Sequence, residues 1–296
     1  MFDGEVSGII TTYKREADMV EIAVKSMIDQ TYPIKEIIVV DDNQRGSEFC
    51  EPLRKMCEKY PTVKYIKQNG NKGACAARNL GIENATGKYV AFLDDDDEWM
   101  PEKTEKQMKV FADHQGEGLG LVFCCGTQYH TDTGKTTDYY NIKVFKEVVD
   151  YATLLRGNIV GTTSAPLILK EVFYKVGMFW EEQPARQDYE MWVRIASAYG
   201  IRGVIDQLFV HTMHESDQIS KNKKRSYIGY DNMYKRYKKD YKKDPEAEQF
   251  ILEMIYFSRY KFSFAVTGVF LRIKYLKFKK NMKMIIRRIF KGKQRS

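Results

Sequence analysis

No apolar run in this chain reaches the about 20 residues that a membrane-crossing helix needs. The best candidate, Phe262 to Leu271, falls well short and is bracketed by Lys261 and Arg272. No secretory leader is expected, because Met1-Phe2-Asp3-Gly4-Glu5 has neither a basic nor an apolar region and leads straight into a strand-like segment. Cysteine is sparse and unpatterned. The five thiols are odd in number, Cys50 and Cys57 are too far apart for a zinc knuckle and Cys124-Cys125 are adjacent, so reduced cysteines and a cytoplasmic setting are expected. Acidic residues are absent from the end of the chain: Lys261 to Ser296 holds twelve Lys and Arg and no Asp or Glu, leaving the rest at a net −4 although the whole carries +8. The basic character belongs to the tail, and no nucleic-acid partner is expected for the main domain.

What remains is an ordinary globular composition, 43% hydrophobic and 30% charged over 296 residues. That is enough for one large domain, or one domain with an appendage. Val6 to Ile10 reads as a strand and Met19 to Gln30 as an amphipathic helix that Tyr32-Pro33 ends; Glu36 to Val40 is an apolar strand, Ser47 to Tyr60 a helix, Val63 to Ile66 a short strand and Ala74 to Asn84 a helix. A fourth apolar strand, Gly87 to Leu93, stops at Asp94-Asp95-Asp96-Asp97. Alternation of this kind predicts right-handed βαβ crossovers and a mostly parallel α/β sheet flanked by helices. Ligands of such sheets lie beyond the carboxyl ends of the strands, where Thr11 to Tyr13, Asp41-Asp42 and Asp94 to Asp97 all fall. Four like charges ending a buried strand call for a cation, the plain alternative being a solvated acidic turn. Pro101 to Asp113 is a further helix and Gly118 to Cys125 a further strand; Thr127 to Lys143 is a hairpin or mobile loop, and Val172 to Val176 and Tyr189 to Tyr199 are helical. After Ser220 the composition shifts to Lys, Arg and Tyr, which sets the expected organisation: a domain over 1–220, with halves 1–115 and 116–220, and a basic helical extension over 221–296.

Val6 to Arg15, Gln30-Thr31-Tyr32, Glu36 to Asp42, Gly73 to Ile82 and Gly87 to Asp97, in that order and spacing, resemble the nucleotide-binding half of family 2 glycosyltransferases, which have the GT-A fold. The resemblance continues through Val176 to Phe179 and Gln187 to Arg194 as far as about His214. It departs from the family at Thr11, where Pro is frequent, and in the four consecutive aspartates, where an aspartate-small-aspartate motif is usual. Setting Trp99-Met100-Pro101 against the family's aromatic-x-Pro makes Asp94-x-Asp96 the motif.

The resemblance implies an inverting transfer of a sugar from a nucleoside diphosphate sugar, UDP-linked, to a glycan or lipid-linked acceptor in surface polysaccharide synthesis. It implies Mn²⁺ or Mg²⁺, which takes up charge on the departing diphosphate. Asp96 is the implied metal ligand, with Asp94 and Asp95 facing ribose or sugar; Asp41 would accept a hydrogen bond from the base, with Thr11, Tyr13 and Arg15 lining that end. Arg78 would touch base or phosphate, unless it is only an ion-pair partner. Asp188 matches the catalytic base, although an aspartate before an apolar-periodic run is also what a helix N-cap looks like. His211, with His214 nearby, lies where some relatives contact metal or phosphate; either could equally be a hydrogen-bonded residue of the fold.

The tail from Thr267 to Lys291 interleaves Phe270, Ile273, Leu276, Met282, Ile285, Ile286 and Ile289 with lysines and arginines. That pattern suits an interfacial helix on an anionic membrane, giving a peripheral protein on the inner face, or else a solvated helix covering the domain. Two other functions stay open. A sugar nucleotidyltransferase shares the sheet and the aspartates, but Thr11 to Glu16 lacks the glycine-rich phosphate loop it would carry. A non-catalytic basic membrane-binding protein would use the tail alone.

Overall fold

The computed structural model describes residues 4–214, 222–258 and 271–277. It divides into two compact units: one of Met1–Leu154, Asn158–Glu182 and Gln187–Asp217, the other of Leu155–Gly157, Gln183–Arg186 and Gln218–Ser296.

The first unit is built on β1 (Val6–Thr12), α1 (Ala17–Ile28), β2 (Ile34–Asp41), α2 (Cys50–Glu58), β3 (Val63–Lys67), α3 (Ala74–Asn84) and β4 (Tyr89–Asp94). These four strands pair in parallel in the order β3-β2-β1-β4. Successive residues of a strand face opposite sides, and β1 shows it: a Cβ on Gly8 would lie 2.6 Å from Met27 of α1, while its neighbour Ile9 approaches Gly81 of α3. Helices thus close on both faces of one strand, which is why β1 and β2 are apolar almost without interruption. Register then sets the strand ends level, with Thr12 opposite Asp41 and Thr11 opposite Asp94.

Beyond β4 the order continues through β9 (Pro166–Leu169), β6 (Leu119–His130), β10 (Gly200–Met213) and β5 (Glu98–Trp99). The strand β9, which no periodicity announces, runs antiparallel between β4 and β6. β5 pairs antiparallel with β10 through Trp99–Phe209 and Glu98–Val210, so the acidic turn leaves β4 and crosses to the far side of β9 and β6. The polar stretch after β6 is a hairpin with β7 (Lys135–Asp138). The remaining elements are α4 (Lys103–Asp113), α5 (Tyr140–Lys143), β8 (Val148–Val149), α6 (Tyr151–Leu155), α7 (Glu171–Val176) and α8 (Gln187–Ala196).

The second unit holds α9 (Lys223–Arg236), α10 (Lys238–Lys243) and α11 (Pro245–Phe257). Asp244 caps α11 by accepting from the amides of Glu246 and Ala247, with Pro245 where a missing N–H costs nothing. Met233, Tyr241, Ile251, Leu252, Ile255, Ile273 and Leu276 are buried, and the buried Glu248 takes Arg272 at 2.9 Å. Within 271–277 the apolar residues Ile273 and Leu276 are therefore core; the remainder of the expected interfacial helix lies outside the described residues. Among the described residues no helix is long and apolar enough to cross a membrane.

Candidate active site

The four aspartates after β4 meet different partners. Asp94 accepts from Thr162 Oγ1 at 3.1 Å, from Thr163 Oγ1 at 2.9 Å and from Arg78 Nη2 at 3.1 Å. Burial alone would raise its pKa, and Arg78 and Thr163 outweigh that and hold it below the ordinary carboxylate value. Asp97 is buried and accepts from Ser164 Oγ at 2.6 Å and from the Thr212 amide at 3.0 Å, with His211 Nδ1 3.0 Å away. It ties the turn to β9 and β10.

Asp95 and Asp96 face one arginine. Arg15 Nε donates to Asp95 at 3.1 Å and Nη2 donates to Asp96 at 2.8 Å, while His214 Nε2 stands 3.3 Å from the same Asp96 oxygen. One guanidinium does not balance the turn. Burial, with the charges of Asp97 and Asp95 behind it, pushes the Asp96 carboxyl up to about 7. Burial would lower His211, yet the Asp97 carboxylate lifts it to about 9. The turn therefore holds more negative charge than its fixed cations neutralise, and a proton or a metal ion can supply the difference.

A divalent ion fits this donor set. Asp96 offers a hard carboxylate on a side chain that is only 18% exposed, and Mn²⁺ or Mg²⁺ is commonly held by one or two carboxylates plus substrate phosphates. No three His, Cys, Asp or Glu side chains among the described residues form a cage that would hold the ion by themselves. His211 has its Nδ1 on a carboxylate, the arrangement that orients metal-binding imidazoles; protonated, it is instead a cation at the same place.

Asp41, expected to accept a hydrogen bond from a nucleotide base, has donors of the chain itself at both oxygens. It is fully buried, accepting at one oxygen from Tyr65 Oη at 2.6 Å and at the other from the Asn43 amide at 2.8 Å and side chain at 2.7 Å. Burial raises its pKa, and the Tyr65 and Asn43 bonds more than reverse this. Asp42 likewise accepts from the amides of Lys72 and Gly73, each at 2.8 Å, and so shapes the loop that opens α3. Both carboxylates thus accept from the chain's own donors at the end of β2. Thr11, next to last in β1, lies beside Asp94, and Tyr13 is 42% exposed just after that strand.

Arg78 links the two parts of the site. Besides Asp94 it reaches Gln187 Oε1 at 3.4 Å, at the head of α8, and its guanidinium lies over Phe179. Asp188 follows as the second residue of α8, half-buried, so it lies inside the helix's first turn. The helix is fixed by Arg194, which pairs with the buried Glu190 at 2.8 Å and donates to the carbonyls of Val176 and Gly177. Trp192 Nε1 donates to Gly161 O at 3.1 Å, joining α8 to the threonine loop.

That loop, Thr162-Thr163-Ser164, holds Asp94 and Asp97. Its one sequence signal is a run of three hydroxyls directly before an apolar strand. Lys103 was also missed. It is fully buried, stacks 4.0 Å from the Trp99 ring and donates to Gln107, and Gln107 in turn donates to the carbonyls of Val122 and Ala165. Burial brings the Lys103 amine down to about 8.

Known proteins are similar to this chain in sequence and in fold. The chain is 31% identical over 213 residues to an uncharacterised glycosyltransferase of Rickettsia conorii, covering 70% of this chain and 32% of that one. It thus spans about a third of the length of that relative. It is 27% identical over 248 residues to the putative colanic acid biosynthesis glycosyl transferase WcaA of Escherichia coli K12, covering 81% and 83%. Over 107 residues, 36% of this chain and 41% of the relative, it is 39% identical to the putative teichuronic acid biosynthesis glycosyltransferase TuaG of Bacillus subtilis. In fold it resembles the mannosyltransferase PcManGT of Pyrobaculum calidifontis, solved with GDP-Man and Mn²⁺, at a TM-score of 0.64 and 18% identity over 91% of this chain and 74% of that one. TarS of S. aureus, solved with UDP-GlcNAc, follows at 0.57 and 15%, covering 85% and 81%. The family model described as Glycosyl transferase family 2 matches residues 7–177, more than half of the sequence, and the chain belongs to that family.

Proposed function

We propose that this chain is an inverting, metal-dependent glycosyltransferase that moves a hexosyl or N-acetylhexosaminyl group from a UDP-sugar to a glycan or lipid-linked acceptor in surface polysaccharide synthesis. The observation that carries the reading is the set of level strand ends, where Thr11, Asp41 and Asp94 meet around an acidic turn short of positive charge. Relatives named for colanic and teichuronic acid synthesis, and neighbours solved with GDP-Man and Mn²⁺ or with UDP-GlcNAc, support the substrate class.

In this reading the nucleotide occupies the end framed by Asp41, Thr11, Tyr13 and Arg78, within residues 1–115. Asp96 and His211 hold the ion, which would offset charge on the departing diphosphate. Asp94 is set by the two threonines to receive ribose or sugar hydroxyls, with Asp95 beside it, and Arg15 is within reach of the phosphates. Asp188 takes the proton of the acceptor hydroxyl as that oxygen attacks the anomeric carbon and the bond to the diphosphate breaks, inverting the centre. Residues 116–220 supply the acceptor side, and 221–296 a basic extension whose lysines and arginines suit an anionic membrane surface on the cytoplasmic face. Sedimentation with anionic liposomes tests the membrane part.

The test of the reaction is a donor screen by nucleotide release, with and without Mn²⁺, on the wild type, Asp96→Ala and Asp188→Asn. Metal-dependent release that both substitutions abolish is expected. Full activity in both variants would overturn the proposal.

A further inference from the structure

Lys103 is fully buried, and among the described residues no carboxylate pairs with it. Its amine donates to Gln107 Oε1 at 2.9 Å and lies 4.0 Å from the centre of the Trp99 ring. An ammonium taken out of water without a counter-ion costs stability, and the lowered pKa of this one, caused by its burial, is the mark of that cost. An apolar side chain of the same length would fill the space without it, so packing alone does not account for a lysine there.

What the ammonium adds is a direction for the Gln107 amide. A glutamine amide fits its cavity in two orientations, and a cation on one side draws the oxygen towards it. The nitrogen then faces away, and Gln107 Nε2 donates to Val122 O of β6 at 2.8 Å and to Ala165 O at 2.9 Å. Trp99 Nε1, on the ring against the same ammonium, donates to Ser164 O at 3.0 Å. Two consecutive carbonyls just before β9 are thus held by the two partners of Lys103. The Ser164 hydroxyl works towards the acidic turn: it donates to Asp97 Oδ2 at 2.6 Å and accepts from the Asp94 amide at 3.1 Å. At its other oxygen Asp97 has His211 Nδ1, 3.0 Å away, and the Thr212 amide, also at 3.0 Å. Every one of these residues belongs to the first compact unit.

We infer that Lys103 is a positioning residue for the ion site: through Gln107 and Trp99 it sets the backbone at Ser164 and Ala165, and through the Ser164 hydroxyl it sets the Asp97 carboxylate that orients His211. The inference rests on the reading of Asp96 and His211 as the residues that hold the ion. It gives a buried lysine outside the site a part in metal affinity, at a cost in stability.

The test uses Lys103→Met in the full chain, because methionine nearly keeps the length and the contact with Trp99 and removes the charge. Losing a buried charge that no carboxylate balances should leave the melting temperature within about 2 °C of wild type or raise it. The affinity of the UDP complex for Mn²⁺ should nonetheless fall about fivefold or more, while UDP binding without Mn²⁺ stays as in wild type. In the metal-free protein the Asp94 amide should exchange its hydrogen about fivefold faster, with the amides of β2 unchanged. Trp99→Phe, which keeps a ring against the amine and deletes the bond to Ser164, should show the same two changes. Wild-type Mn²⁺ affinity and wild-type exchange at Asp94 in both variants overturn the inference. A wild type whose UDP binding ignores Mn²⁺ overturns the ion site itself, whereas a Mn²⁺-dependent wild type with equally Mn²⁺-dependent variants removes only the positioning role.

Discussion

The turns that end β2 and β4 look alike in sequence, each a cluster of carboxylates after an apolar strand, and they do opposite things. After β2, Asp41 and Asp42 are buried and their oxygens accept from amides, a tyrosine and side-chain amides, so the charge is consumed in building a loop. At the end of β4, Asp94 and Asp97 also have several donors each, but Asp95 and Asp96 share one arginine and the Asp96 carboxyl rises to about 7. A carboxylate cluster is structural where donors outnumber its oxygens. Where they do not, it is left open to the ion proposed above.

Substitutions that starve the β2 turn should act on stability. Asp41→Ala leaves Tyr65 and Asn43 without their acceptor and is expected to cost about 3 kcal/mol, lowering the melting temperature by roughly 8 °C. An unchanged melting temperature would remove the distinction between the turns. Glu36, on the same strand, extends the argument. Its carboxylate accepts from Ser7 at 2.8 Å and from the Thr86 amide and hydroxyl at 2.7 and 2.6 Å, and pairs with Lys64. Burial opposes its ionisation, and these partners nonetheless bring its pKa down to about 2 from 4.5. Because the folded value lies below the unfolded one, the stabilisation, about 3 kcal/mol, is complete above pH 4.5 and is lost as the pH falls towards 2. Denaturant melts of the wild type and Glu36→Gln should converge at the acid end of that window.

On the β4 side the effects should fall on catalysis. Thr163→Val removes one hydroxyl from Asp94 and should lower kcat/KM about fivefold with little change in melting temperature. The smallest effect is expected at Arg15. Its guanidinium takes the Asp96 oxygen that a metal needs, so Arg15→Gln should bind Mn²⁺ in the absence of nucleotide about threefold more tightly, by calorimetry. Weaker binding would mean that Arg15 helps to assemble the metal site.

The regular part of the fold was legible because its chemistry is local. β1 to β4 and their helices follow from apolar periodicity, and the strand-end position of Asp41 and Asp94 follows from the parallel order. What was not legible depends on partners distant in sequence. The antiparallel β9 has four apolar residues and no period to display, and the hydroxyls before it acquire meaning only when they meet Asp94 and Asp97, about seventy residues earlier. That Asp41 is closed off depends on Tyr65 reaching across from β3. The left-handed backbone at Arg186 has no signal in the sequence, since the residue there is neither glycine nor asparagine.

The central claim is that the β4 turn holds a metal ion together with a nucleoside diphosphate. A titration of UDP into the wild type and Asp96→Ala, each with and without Mn²⁺, tests it most directly. Mn²⁺ is expected to tighten UDP binding at least tenfold in the wild type and to have no effect in Asp96→Ala, with both proteins equally folded. The same Mn²⁺ dependence in both proteins would contradict it.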